Sequence, residues 1–447
     1  MHDPLDLRDL LADELAQRRE SGYRVDGLAP AIAEGLRQAR GPTDAALEAL
    51  LVALEVTTRD PGWGYREPSG IDAIVASLPP RAASIEPGDD LGDRILGAWL
   101  GRCAGCTLGK PVEGMSRDQL LAYLEATHAD PREGYLPPPP GGPDAFPLKD
   151  SWRVATRGNI KGVPRDDDID YTILALHILE RYGRDFSMAD VTTALLSSLP
   201  YLRVFTAERV AYRNLLQGRT PPATASHRNP YREWIGALIR SDMYGYVRPG
   251  RPREAADMAL RDAATTHTAN GLYAAMWAAG LVAEALVRDT AEDALRASLR
   301  QVPPGSRLEE ALERVLELYA SGADWEDARA TLAESYGHYS WVHALPNVTA
   351  IAAGLLWGDE GFGATVGLTV LTGLDTDSAA ATAGSVHGAL HGASRLPSAW
   401  IDPLEDRIES AVMGFDGSRI TDLAQRTLAL ASWSGERPGQ RTEPRGG

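Results

Sequence analysis

Apolar residues recur three and four positions apart along most of the chain, and two-residue alternation is scarce, so the pattern predicts helices and almost no strand. Residues 5–19 and 44–57 predict two short helices. The interruption at 61–70 and a Pro-, Gly- and Asp-rich linker at 77–93 follow them. That places a boundary near residue 88, with 1–88 as an N-terminal helical extension and 89–434 as the main domain. Helical periods then cover 93–113, 165–183, 188–199, 253–265, 271–287, 306–320 and 376–394. The stretch 136–147 holds too much Pro and Gly for a helix or a central strand. The tail, 435–447, is expected to be disordered. The fold class expected is all-α.

Two of the predicted helices carry glycine every fourth residue: Gly97, Gly101, Gly105 and Gly109 in one, Gly384, Gly388 and Gly392 in the other. Residues four apart share a helix face, so each ladder strips one face of side chains. Each interior glycine costs about 0.5–1 kcal/mol relative to alanine. A set of seven therefore needs a compensating gain, and close packing of two backbones supplies one.

Acidic residues cluster just before two apolar helices: Asp166, Asp167, Asp168 and Asp170, and then Asp375 and Asp377 with Ser378 beside them. One carboxylate at a helix start is explained by capping and by the helix dipole. Three or four are not, because like charges about 4 Å apart repel by roughly 4 kcal/mol at an effective dielectric of about 20. A buried cluster of this kind calls for cations. All-oxygen ligands select Mg²⁺, Mn²⁺ or Ca²⁺.

Three segments, DRILGAWLGRCAGCTLGKPVE at 93–113, DDDIDYT at 166–172 and GLDTDSAAATAGSVHGALHGA at 373–393, stand in the order found in one family. Together they resemble the ADP-ribosylglycohydrolase family, which includes the dinitrogenase reductase-activating glycohydrolases. The likeness spans roughly residues 90 to 410. It implies an orthogonal all-α bundle with two Mg²⁺ or Mn²⁺ ions in a central cleft. Carried over, Asp166, Asp167 and Asp168 belong to the first ligand run, and Asp375, Asp377 and Ser378 to the second. Asp166 stands where the family has its first Thr, and Ile169 where it has the second. Glu113 closes the first motif and is expected near the metals as a gate or an acid/base, with Asp168 and Asp375 as its catalytic companions. The segment 229–242 loosely resembles the family's cleft lining. It offers Arg240 for a pyrophosphate and Tyr231 or Trp234 for a base or ribose; His267 matches a position near the cleft. The chemistry implied is hydrolysis of an N- or O-glycosidic bond of an ADP-ribosyl or related ribosyl substrate, small or protein-linked.

Composition narrows the alternatives. The chain has 447 residues, of which 44% are hydrophobic, so a large core is available. A net charge of −17 argues against direct nucleic-acid binding. The N-terminus has no signal-peptide pattern and no window is apolar enough to span a membrane, so the expected place is the cytoplasm. Cys103 and Cys106 form a bare C-x-x-C and read as buried small residues, and His387 and His391 as core or cleft-wall residues. Asp166, Asp167 and Asp170 also spell the DDxxD of a Mg²⁺-dependent terpene cyclase, although only five Phe are present. Residues 366–378 can be read as the strand and D-x-D of a haloacid-dehalogenase-like phosphatase. Ile169 allows a third alternative, a non-catalytic ADP-ribose-binding module. Residues 1–88 carry no chemical motif.

Overall fold

In the computed structural model, which describes residues 5–142 and 145–432, two helices, Leu91–Gly109 and Thr376–His391, form the central pair. The glycine ladders face each other. A Cβ placed on Gly97, Gly101, Gly105 or Gly109 would fall under 3.0 Å from the backbone at Gly388, Gly384, Ala380 or Thr376 respectively. The reversed order of partners makes the pair antiparallel. Helix carbonyls therefore rest against Cα atoms, a contact that Cα–H···O attraction favours by about 0.5–1 kcal/mol each. The pairing is closed by the Thr376 hydroxyl, which donates to the Gly109 carbonyl at 2.8 Å.

Other helices wrap this pair. Ala269–Ala285 is buried along its whole length, consistent with its run of Ala, Leu and Val, and Ala344–Trp357 and Phe362–Val370 pack beside the second glycine helix. Asp167–Tyr182 starts beside the first glycine helix and buries Ile169, Ile173 and Leu176. Amphipathic helices such as Arg307–Ala320 form the outer layer. Among the described residues no sheet forms, and the only pairings outside helices are isolated bridges. The all-α expectation is met. The strand-like run at 366–371 lies in the helix Phe362–Val370 and the turn after it, which removes the phosphatase reading.

The first three helices, Leu7–Glu20, Ala29–Gln38 and Ala45–Glu55, enclose a small core of their own built on Leu11, Val25, Ile32, Leu47, Leu51 and Leu54. From residue 60 the chain lies across the bundle as a strap. Arg66 N–H donates to the Gly305 carbonyl at 2.8 Å, Ile74 enters the main core, and Ile85 N–H reaches the Gly250 carbonyl at 3.1 Å. The tail at 435–447 lies outside the described residues.

The backbone contact predicts a sharp asymmetry among glycines. Gly101→Ala must push two helix backbones apart, and overpacking of this kind costs about 2–3 kcal/mol even after the gain in helix propensity. Gly27→Ala, with nothing within 4 Å of the added methyl, stays within about 0.5 kcal/mol of the parent. Chemical denaturation of the two variants measures both.

Candidate active site

The glycine contact brings the end of one helix to the start of another. Lys110 and Glu113 follow the last ladder glycine of the first helix, and Asp375 and Asp377 flank the opening of the second. A third element is held by Arg102, which projects from the first glycine helix into the core. Its Nε and Nη2 donate to the Asp168 carbonyl at 3.1 and 2.8 Å, and its Nη1 to Asp242 Oδ2 at 2.8 Å. The start of the helix Asp167–Tyr182 is thereby fixed beside Asp377.

The three openings share a cleft of about 510 Å³. Of the residues expected from sequence, Glu113, Asp166, Asp167, Asp168, Asp375, Asp377 and Ser378 line it. The two Asp runs touch: Ser378 Oγ donates to Asp168 Oδ2 at 3.1 Å. Donor atoms of Glu113, Asp375 and Asp377 lie within 4.8 Å of one another, as do those of Cys106, Asp166 and Asp168. Cys103 and Cys106 are buried, as read, and the Cys106 thiol faces the acidic group.

The turn before Asp375 is strained. Gly373 and Leu374 both adopt the left-handed region, with φ of 76° and 72°. A leucine held there costs about 1–3 kcal/mol and persists only where its surroundings fix it. Asn347 helps to fix it, accepting from Asp375 N–H at 3.3 Å while its amide nitrogen donates to the carbonyls of Trp341 and His343.

The electrostatics match a cation site. Burial pushes the Asp168 carboxyl up to about 7, against the pull of Arg102 and with a further push from Asp167. Burial and then Asp168 raise Asp377 to about 6. Asp375 is driven well above the usual carboxylate range by burial, then by Asp377 and Glu113. Glu113, at the rim, rises to about 7 through burial and Asp377. Helix N-termini favour carboxylates by at most about 2 kcal/mol, so here desolvation and mutual repulsion outweigh the dipole. Asp168 Oδ1 is a buried oxygen with no hydrogen-bond partner. A buried carboxylate oxygen without a hydrogen bond, beside the all-oxygen set of Glu113, Asp375 and Asp377, suits a hard divalent cation, so the residues present fit the group.

Asp166 is more fully occupied. Its Oδ1 caps Asp168 N–H at 2.9 Å and its Oδ2 accepts from Lys110. Ile169 is buried in the core and does not line the cleft. Asp170 points away, held by Arg165 at 2.7 Å, by the Ser410 hydroxyl at 2.7 Å and by Ala411 N–H at 2.9 Å. The DDxxD run is therefore not a ligand set.

Three expected substrate residues stand elsewhere. Arg240 is buried behind the wall, donating from Nε to Asp262 at 3.0 Å and from Nη1 to Glu208, so its guanidinium is committed to the core. Tyr231 is buried and donates its hydroxyl to Asp13 at 2.9 Å. His267 is buried, its Nδ1 2.7 Å from the Thr266 hydroxyl. None of the three lines the cleft, whereas Trp234 does. His387, whose Nδ1 lies 3.0 Å from the Thr365 hydroxyl, and His391 are also outside it.

The rest of the wall was not read from sequence. Lys110, Lys149, Arg165 and Arg209 give an acidic protein a cationic rim, and Trp341 and Phe205 give it aromatic faces. Lys149 lies 3.5 Å from Glu113 and 5.7 Å from the Trp341 ring centre. Arg209 stacks over Phe205 at 5.1 Å. Glu208 also reaches the cleft, and it passes close over Gly236, where a Cβ would meet its Oε2 at 2.6 Å.

The ADP-ribosylglycohydrolase family model matches residues 87–437. The chain belongs to the ADP-ribosylglycohydrolase family. That membership makes it a glycohydrolase-type protein of a family that is metal-dependent in general. A solved structure described as an ADP-ribosylglycohydrolase-related protein complex is similar over 77% of this chain and 99% of that one, with 22% identity and a TM-score of 0.47. Comparison with curated proteins gives no match. Among the described residues no helix is long and apolar enough to cross a membrane.

The raised carboxyls set a pH signature. Groups whose folded pKa lies above the ordinary carboxylate value contribute stability below that value and lose it as pH rises through about 6 to 7. Metal-free Asp377→Asn, which cannot ionise at 377, is therefore expected to melt higher than the parent at pH 8, with the gap closing toward pH 5. Saturating Mn²⁺ should reverse the order at pH 8. Thermal melts at the two pH values check this.

Proposed function

We propose that this family member is a hydrolase that cleaves the N- or O-glycosidic bond joining ADP-ribose, or a related ribosyl group, to a small molecule or a protein, using two Mg²⁺ or Mn²⁺ ions. The observation that carries the reading is the meeting of Asp168 with Asp375, Asp377 and Ser378, more than 200 residues later in the chain, in one cleft that aromatic and cationic groups also line. Asp167, Asp168, Asp375, Asp377 and Ser378 would hold the ions, with Asp166 supporting them through Asp168. When bound, the ions supply Lewis acidity toward oxygen ligands.

The chain's own groups do the remainder. Lys110, Lys149 and Arg209 attract the pyrophosphate, and Trp234 and Trp341 give flat surfaces for a base or ribose. The buried carboxylates stabilise positive charge at the anomeric carbon, since cleavage there passes through an oxocarbenium-like state. Glu113, with its carboxyl pushed up to about 7, is suited to hold a proton at the rim and pass it to a leaving group. The reading takes the protein to be cytoplasmic.

The test is release of free ADP-ribose from a panel of ADP-ribosylated peptides and O-acetyl-ADP-ribose. Turnover that requires Mg²⁺ or Mn²⁺ and falls at least about 1,000-fold in Asp377→Ala is expected, in line with the several kcal/mol a divalent centre contributes. ADP-ribose binding without turnover of any substrate would favour the non-catalytic module instead.

A further inference from the structure

The three N-terminal helices lie outside the family match and have their own core, yet their contact with the bundle is built from buried polar groups rather than a shared apolar layer. Side chains of Leu7–Glu20 grip three consecutive residues of the bundle. Asp13 accepts from the Tyr231 hydroxyl at 2.9 Å. Glu14 accepts from Arg232 at 2.6 and 3.1 Å. Gln17 and Ser21, four residues apart on one helix line, both donate to Glu233 Oε1, at 2.9 and 2.7 Å. The other oxygen of Glu233 accepts from Asn270 at 2.8 Å and Arg307 at 2.7 Å. Burial pushes this carboxyl up, but Arg307, then His343, Asn270 and Ser21, outweigh it and hold it down to about 2.

The next residues in the chain are cleft wall. Trp234, Ile235 and Gly236 line it, and Trp234 pairs with His343 in an isolated bridge. Ile235 N–H donates to the Val342 carbonyl at 3.0 Å, and Ala344 N–H to the Glu233 carbonyl at 3.1 Å. Through these bonds the second wall segment, Trp341 and Val342, is registered on the first. The rings of Tyr231 and Trp234 pack 4.7 Å apart, joining the gripped residues to the wall.

We propose that the N-terminal helices are a positioning element of the cleft: by clamping Tyr231, Arg232 and Glu233 they set the Trp234–Trp341 wall, and so govern substrate binding rather than cation binding or bond cleavage. The assignment of that wall to substrate rests on the hydrolase reading above; the clamp itself does not. A buried carboxylate deprived of two donors seeks new ones, and the loop that carries it moves, which loosens the Trp234–Trp341 wall.

The test is the double variant Gln17→Ala/Ser21→Ala in the full-length protein, beside Ser21→Thr, which keeps a hydroxyl. Hydrogen exchange read by mass spectrometry is expected to speed up in peptides covering 231–239 and 339–345, with peptides covering 166–172 unchanged. Titration with Mn²⁺ alone is expected to give parental affinity. KM for an ADP-ribosylated peptide should rise about tenfold or more with kcat held within about twofold, and Ser21→Thr should stay near the parent. Unchanged exchange at 231–239 and 339–345 in the folded double variant would overturn the clamp. Faster exchange there together with an unchanged KM would overturn its role in substrate binding. Should the parent protein turn over no substrate, the exchange and Mn²⁺ arms still decide the clamp, and the failure falls on the hydrolase reading.

Discussion

Everything in the cleft depends on two helix backbones touching. Where Gly97, Gly101, Gly105 and Gly109 meet Gly388, Gly384, Ala380 and Thr376, no side chain separates Leu91–Gly109 from Thr376–His391. Such a contact has one register, because a slip by a single residue would drive a side chain into a carbonyl. Fixing that register fixes the distance from Glu113 to Asp375 and Asp377, and Arg102 extends the same constraint to Asp168. The helices are thus a rigid frame, and the carboxylates of the candidate site sit at or near their ends rather than on long loops.

That frame holds carboxylates where isolated carboxylates are unfavourable. Burial of Asp168, Asp375 and Asp377 raises all three, and the nearest cations, Arg102 and Lys110, are already shared with Asp242 and Asp166. The strained Leu374 turn adds a second local cost. Both costs fall within a few residues of each other in the structure, and the tight helix pair around them supplies the offsetting stability. Stability given up at one place and recovered elsewhere is the pattern of a functional site.

Helices such as Leu91–Gly109, Asp167–Tyr182 and Arg307–Ala320 were legible because their period is a local property of the chain, whereas Ala344–Trp357, buried along nearly its whole length, has no polar face to mark one. Also legible were the acidic clusters: Glu113, Asp375 and Asp377 stand in contiguous motifs beside a glycine ladder, and Asp166, Asp167 and Asp168 form a run just ahead of an apolar helix. What escaped the sequence is what only tertiary structure decides. Arg102, Lys149, Arg209 and Trp341 are single residues of common types, and nothing near them in the chain marks them as neighbours of the Asp runs. Arg240 looked available for a pyrophosphate, but Glu208 and Asp262, 32 and 22 residues away, consume its guanidinium. Asp170 belongs to the acidic cluster and to the DDxxD spelling, but Arg165, Ser410 and Ala411 turn it aside. In both cases a charged side chain found partners elsewhere in the fold, from Asp262 and Glu208 to Ser410 and Ala411.

A hydrolase of the kind proposed holds divalent cations on the two Asp runs, in the same cleft that takes ADP-ribose. Anomalous diffraction from crystals soaked in Mn²⁺ and ADP-ribose measures it directly. Manganese peaks are expected within coordination distance of Asp168, Asp375 and Asp377, with the ribose beside them and the adenine or pyrophosphate against Trp234, Trp341 or Lys110. Manganese absent from these carboxylates, or ADP-ribose bound away from them, would contradict it.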